Sequence, residues 1–151
     1  MDRKQLTDLL AAVQGGTCPI DEALVRLRSL PYEDLDFAKI DHHRALRNGF
    51  PEVILGEGKT AEQVIAIAAR MAAADVNVLV TRLAPMDAAA LLAAVPGFEY
   101  HATPRVAVRR ARPVELAGRG TILVVSAGTA DMPVAEEAVI TAEMMGNRPG
   151  W

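Results

Sequence analysis

The apolar positions change their period along the chain. Over residues 2–14, Leu6, Leu9, Leu10 and Val13 recur at helical spacing, and Gly15-Gly16 ends the run. Asp2 is placed as an N-cap, with Gln5 three residues on as its capping-box partner. A second helix is predicted from about residue 19 to 30, with Ile20, Ala23, Leu24 and Leu27 inward and Pro31 as its stop. Together they form a helical hairpin, and Cys18 at its link reads as a structural residue. Residues 32–36 read as an acidic connection and 37–40 as a short extended piece.

Further on, short branched runs alternate with helical stretches. Strands are predicted at about 51–55, 76–81, 98–102 and 105–109, with helices in between. The first of those helices has Val64, Ile67, Ala68 and Met71 on one face, and Thr60 with Gln63 forms a capping box at its start. Pro85-Met86-Asp87 opens an alanine-rich helix that Pro96-Gly97 ends. This is the order of a small α/β domain over residues 32–110, following a hairpin at 1–31. Residues 111–119 carry breakers and little apolar periodicity, and read as a solvated linker.

The last segment gives the clearest local signal. Ile122-Leu123-Val124-Val125 is a branched apolar run, expected of a strand covered on both faces. Small and polar residues follow from Ser126 to Asp131, then Pro133 in a first helical turn. Asp131 is placed to cap that helix, and Glu136 and Glu137 favour its positive end. Such a strand–turn–helix presents free backbone N–H groups to a phosphate, carboxylate or ribose, or is a tight turn without a ligand. The helix beyond, at 132–145, needs its apolar residues covered by the N-terminal domain or by another chain.

Composition narrows the functional classes. The chain has 151 residues, a net charge of −3, one cysteine and few aromatics. Nothing in that balance points to nucleic acid or a membrane surface, and one cysteine excludes an internal disulfide and a Cys-rich metal site. The N-terminus lacks the apolar core of a signal peptide and no span long enough for a membrane is present, so a cytoplasmic location is expected. His42-His43 are adjacent, hence about 100° apart on a helix, and do not grip one ion as an i, i+4 pair would. Asp41, His43, Arg44 and Arg47 read either as a solvated helix face or as a polar pocket for an anionic substrate. Gly56-Glu57-Gly58-Lys59-Thr60 lacks the first glycine of a phosphate loop, since Val53 stands there. Lys59 and Thr60 at a helix start remain either an anion site or an ordinary cap.

Three motifs in order carry a resemblance. They are Asp41-His42-His43-Arg44; Gly49-Phe50-Pro51-Glu52-Val53-Ile54 with Gly56-Glu57-Gly58-Lys59-Thr60; and Ser126-Ala127-Gly128-Thr129 with Asp131 and Pro133-Val134-Ala135-Glu136-Glu137-Ala138. From about Tyr32 to Gly146 the chain resembles the LarB family of nickel-pincer cofactor biosynthesis. Its last motif also resembles the opening βα unit of PurE-type aminoimidazole ribonucleotide carboxylases.

The LarB resemblance implies an N-terminal α/β domain followed by the first βα unit, here 120–151, of a PurE-like three-layer domain. It implies a pyridinium-3,5-biscarboxylic acid mononucleotide synthase, which carboxylates nicotinic acid adenine dinucleotide and hydrolyses its phosphoanhydride to release AMP. CO2 or bicarbonate would be co-substrate, with no tightly bound cofactor and Mg2+ allowed. PurE-like homo-oligomers are implied too. Ser126, Gly128, Thr129 and Asp131 would cradle the mononucleotide, with Asp131 on the ribose. His43, Arg44, Lys59 and Thr60 form a second candidate polar site.

The chain departs from the family in two ways. Ala130 stands where the family has serine, and the family's nucleophilic cysteine belongs to βα units beyond position 151, so Cys18 does not match it. The chain alone is therefore expected to be inactive. The alternatives are a PurE-like purine enzyme, disfavoured by some 120 residues ahead of the motif, and a non-catalytic nucleotide-binding module.

Overall fold

The computed structural model describes residues 3–27, 32–35, 37–41 and 52–150. The chain divides into two compact units, Met1–Glu52 and Val53–Trp151. The Asp2 cap, the Pro31 stop, residues 42–49 and Pro51 lie outside the described residues.

In the first unit, helices α1 (Arg3–Gln14) and α2 (Ile20–Leu27) form the expected hairpin. Its core is Leu9, Cys18 and Ala23, flanked by Ala12, Val13 and Leu27. The Ala12 carbonyl accepts from the Thr17 and Cys18 amides and so closes the link. Cys18 is buried there, its thiol turned toward the Pro19 carbonyl. Ile20 and Leu24 were expected inward but are 67% and 59% exposed. An eight-residue helix against one partner buries a single narrow stripe, and here Ala23 occupies it. The acidic connection is in part a strand: β1 (Tyr32–Asp34) pairs antiparallel with β2 (Lys39–Asp41).

The second unit is built on a four-stranded mixed sheet in the order β3-β4-β6-β5, from β3 (Val53–Leu55), β4 (Val78–Thr81), β5 (Phe98–His101) and β6 (Val106–Arg109). β3 and β4 run parallel, joined through α3 (Ala61–Ala73), because a parallel pair needs a crossover. α4 (Pro85–Ala94) leads to β5, and β6 returns antiparallel to both β4 and β5. The α3 cap forms as expected: Thr60 Oγ1 accepts from the Gln63 amide at 3.3 Å, and Gln63 Oε1 accepts from the Thr60 amide at 3.1 Å. Val64, Ile67, Ala68 and Met71 are its buried face.

Every residue of β4 is buried, so both faces of the sheet are covered. Registered neighbours Ile54, Val80 and Ala107 share one face. Val53, Leu79 and Val108 share the other, which receives Ile140 and Met144 of α5 (Met132–Met144). The helix left needing cover by the sequence is therefore packed on the sheet of its own unit through Ile140 and Met144, with Ala135 and Val139 also buried.

The flanks of α5 are paired strands. β7 (Thr121–Leu123) and β8 (Arg148–Gly150) are parallel, with Ile122 opposite Pro149. This makes 121–150 a complete β–α–β unit rather than a strand and helix alone. One expectation differs here. β7 is not buried: Ile122, Leu123 and Val125 are 43%, 65% and 80% exposed, since a two-stranded sheet has only α5 to cover it. The basic stretch carries surface ion pairs: Arg110 lies near both Glu99 and Glu143, and Arg112 pairs with Asp75 at 2.7 Å.

Gly146 ends α5 at φ +75°, and the amides of Gly146 and Asn147 bond back to Glu143 and Ala142. Its own carbonyl accepts from Ala117 and Gly118, and a Cβ there would run into the Glu115 carbonyl.

Two outcomes follow from this packing. Ile140→Ala should cost about 2–4 kcal/mol in denaturant unfolding, as expected for a buried cavity, whereas Val134→Ser at an exposed position should stay within about 0.5 kcal/mol. Thr60→Ala should cost about 1 kcal/mol through loss of the cap. Glu62, in the first turn, is held below the ordinary glutamate value by its own backbone N–H first and by the Thr60 hydroxyl second. A lowered folded-state pKa stabilises the fold above the ordinary carboxylate range and loses that effect as pH falls through the lowered value. Carboxylate NMR titration should therefore show Glu62 moving part of the way back up in Thr60→Ala, because the backbone N–H stays.

Candidate functional site

The site follows from where the two β–α–β units open. In α/β folds, ligands sit beyond the carboxyl ends of parallel strands, where loops feed helix starts. Here those ends are the β7–α5 turn, the β3–α3 loop and the residue after β4.

In the β7–α5 turn, the Val124 amide continues the ladder to the Gly150 carbonyl, and pairing then stops. A 3₁₀ turn, Thr129–Asp131, runs straight into α5. Asp131 has right-handed helical torsions and makes no side-chain cap, contrary to expectation. The 3₁₀ turn places its backbone inside the helical path, so the carboxylate does not curl back onto the next amides.

The anion donors are also not those expected of a bare helix start. The Asp131 and Met132 amides are spent on Gly128 and Thr129 carbonyls, and Pro133 has no N–H. The free donors lie one step earlier. Among the described residues, the amides of Ser126, Ala127, Gly128 and Thr129 have no backbone acceptor. Ser126, Gly128, Thr129 and Asp131 are thus gathered on one exposed turn. The Ser126 hydroxyl has only a weak contact, 3.9 Å, to the Met132 sulfur. Gly128 is extended, and a Cβ there would meet nothing within 4 Å. Neither torsion nor crowding from the protein itself demands glycine at this point.

The second candidate group is not assembled in the same way. His43 and Arg44 lie outside the described residues. Lys59 donates to the Leu55 carbonyl at 3.0 Å. The Thr60 hydroxyl is engaged by the Gln63 amide and by Glu62. Lys59 thus ties the loop back to the end of β3, and Thr60 acts in the helix cap. No group of three or more His, Cys, Asp or Glu side chains able to hold a metal ion occurs among the described residues. No described helix is long and apolar enough to cross a membrane.

Sequence reasoning missed a third place. An open cleft of about 930 Å³ lies between the carboxyl edge of β3–β4 and the flank of α5. Its polar lining includes Glu57, Arg82, Thr103, Arg105, Glu137 and Thr141. Glu57 and Arg82 pair at 3.1 Å, and Arg82 lies 4.0 Å from Glu137. Beside it, the Tyr100 hydroxyl donates to the Leu83 carbonyl at 2.9 Å, and partial burial raises its pKa against the opposing charge of Arg105. The available signal was positional, since Arg82 directly follows the predicted strand 76–81 and Arg105 opens the strand after Thr103-Pro104.

Comparison with known proteins agrees with the family resemblance over residues 32–111. A family profile described as LarB/PurE-like N-terminal domain matches residues 32–111, more than half of the chain. An uncharacterized protein of Methanocaldococcus jannaschii is 28% identical over 151 residues, covering 95% of this chain and 58% of that protein. The chain thus spans less than two thirds of that relative's length. On the profile match, the α/β fold and the ordered motifs together, the chain belongs to the LarB/PurE-like N-terminal domain family.

Proposed function

We propose that this chain is part of a pyridinium-3,5-biscarboxylic acid mononucleotide synthase of nickel-pincer cofactor biosynthesis, and that its 126–131 turn holds the mononucleotide half of nicotinic acid adenine dinucleotide. The observation that carries this reading is the exposed turn at the carboxyl end of β7 in a parallel β–α–β unit. It offers unpaired amides at 126–129 for a phosphate, two hydroxyls on Ser126 and Thr129, and a carboxylate on Asp131 not committed to capping. Gly128 leaves open space where a ligand backs onto the main chain. Asp131 accepting from ribose hydroxyls is the same chemistry that an acidic residue performs in dinucleotide folds.

Carboxylation and phosphoanhydride hydrolysis belong to the whole protein in this reading, with CO2 or bicarbonate as co-substrate and Mg2+ allowed beside the diphosphate. The turn supplies binding groups, and the chain's single cysteine, Cys18, is buried in the hairpin of the other unit. The exposed Ile122, Leu123 and Val125 are then the face that further βα units of a PurE-like sheet cover in an oligomeric enzyme.

Nicotinic acid mononucleotide, titrated into the chain and followed by calorimetry and amide NMR shifts, should bind with its largest shifts at residues 126–131. Asp131→Asn and Thr129→Val should each weaken it by about 10-fold, the worth of one hydrogen bond to a charged group. With nicotinic acid adenine dinucleotide and bicarbonate, the chain should bind without releasing AMP. Absence of binding, or affinity unchanged in both variants, would contradict the assignment of the turn. AMP release at enzymatic rates would contradict the division of labour.

A further inference from the structure

The helical hairpin of the first unit carries apolar surface that its own packing does not use. Both helices have the same spacing: Leu6, Leu9, Leu10 and Val13 in α1, and Ile20, Ala23, Leu24 and Leu27 in α2. Such a stripe is more than about 100° wide, broader than one helix-to-helix contact covers. The hairpin buries the second residue of each set, Leu9 and Ala23, with Val13 and Leu27 packed beside them. The third of each set, Leu10 and Leu24, stays 55% and 59% exposed, and so does Ile20, one turn before Leu24, at 67%.

These residues share one side of the hairpin. Leu10 and Leu24 each follow the buried residue by one position, hence by about 100° in the same rotational sense. The helices of an αα-hairpin run in opposite directions, so equal rotations bring both leucines to the same side. Two helices with this pattern are half of a four-helix bundle and need a second pair. Their own core of Leu9, Cys18 and Ala23 is too small to stand alone.

The charges select what covers that side. α2 has Asp21 and Glu22 in its first turn and Arg26 in its last. Glu22 and Arg26 pair across one turn at 2.5 Å, which leaves Asp21 as the uncommitted charge at that start among the described residues. A second α2 laid antiparallel puts the acidic start of each beside the basic end of the other. At the ~8–10 Å spacing of packed helices these ends lie within about one Debye length. The other face-to-face arrangement, α1 over α2, sets Lys4 at the start of α1 beside Arg26, like against like.

We propose that this side of the hairpin is an interface with a second copy of the chain. Two hairpins close into a four-helix bundle about a twofold axis, α2 antiparallel to α2 and α1 to α1. Leu24, near the middle of α2, meets its own counterpart, and Leu10 and Ile20 are buried around it. The surface is separate from the exposed β7 residues, which belong to the other unit, and its formation does not depend on what the 126–131 turn binds.

Sedimentation equilibrium on the full chain should show reversible pairing that Leu24→Glu and Leu10→Glu each weaken roughly 10-fold or more, as for a buried interface anchor. Val25→Glu is the control. Val25 is 71% exposed but lies a further ~100° round α2, on the outer side, so association should be unchanged. Cysteine crosslinking reads the geometry without relying on a charge in the interface. Under oxidation Leu24→Cys should give a covalent dimer, and Leu123→Glu in β7 should leave that crosslink intact. Ile20→Cys should give none, because its two copies lie about 12 Å apart along the axis, nor should the unaltered chain, whose Cys18 is buried. The proposal is overturned if the chain stays monomeric throughout the concentration series, or if Val25→Glu weakens association as much as Leu24→Glu. It is equally overturned if Ile20→Cys crosslinks as readily as Leu24→Cys, or if Leu123→Glu abolishes an association that Leu24→Glu leaves intact.

Discussion

The contact between α5 and the β4–β6 face bears on every other feature of the second unit. Ile140 and Met144 sit over Leu79, Val106 and Val108, with Val53 and Val114 at the margin. Without that contact residues 121–150 by themselves would be a two-stranded sheet and one helix, too small to bury their own apolar surface. With it, the helix becomes the second cover of the sheet, and β4 is buried on both faces. The turn ahead of α5 and the cleft along its flank both depend on where this helix lies.

The same packing separates the turn from the cleft. The 126–131 turn projects from the helix start, where amides and small side chains are exposed. The cleft lies along the helix side, where Glu137 and Thr141 face the strand ends that carry Arg82 and Arg105. Gly146 closes the far end of α5, and its carbonyl gathers the chain at Ala117 and Gly118, so the β–α–β unit is held at both ends of its helix.

What could be read from the sequence follows from which signals are local. Strand β4 was legible because Val78-Leu79-Val80 run without interruption where both faces are covered, and β6 because Val106 and Val108 alternate on one side. The Thr60–Gln63 box was legible because both partners lie within one turn. In β7 the same kind of run, Ile122–Val125, is exposed, because the sheet it joins here has two strands. β8 was missed because Arg148-Pro149-Gly150 reads as a breaker, and only at the edge of a small sheet does a proline fit a strand. Asp131 was read as a cap from its residue type, and the 3₁₀ turn that displaces that role has no distinct pattern. Arg82 and Arg105 escaped notice because a left-handed torsion in an arginine leaves no trace in hydropathy or spacing.

Native-state hydrogen exchange tests the central claim most directly, because it reads how α5 is coupled to the sheet. If the helix is a structural layer of the unit, the amides of Val139 and Ile140 open with the same free energy as those of Leu79 and Val108, in one cooperative step. Exchange from α5 at a free energy lower by roughly 2 kcal/mol or more, with the sheet still protected, would show a loosely docked helix and contradict the account.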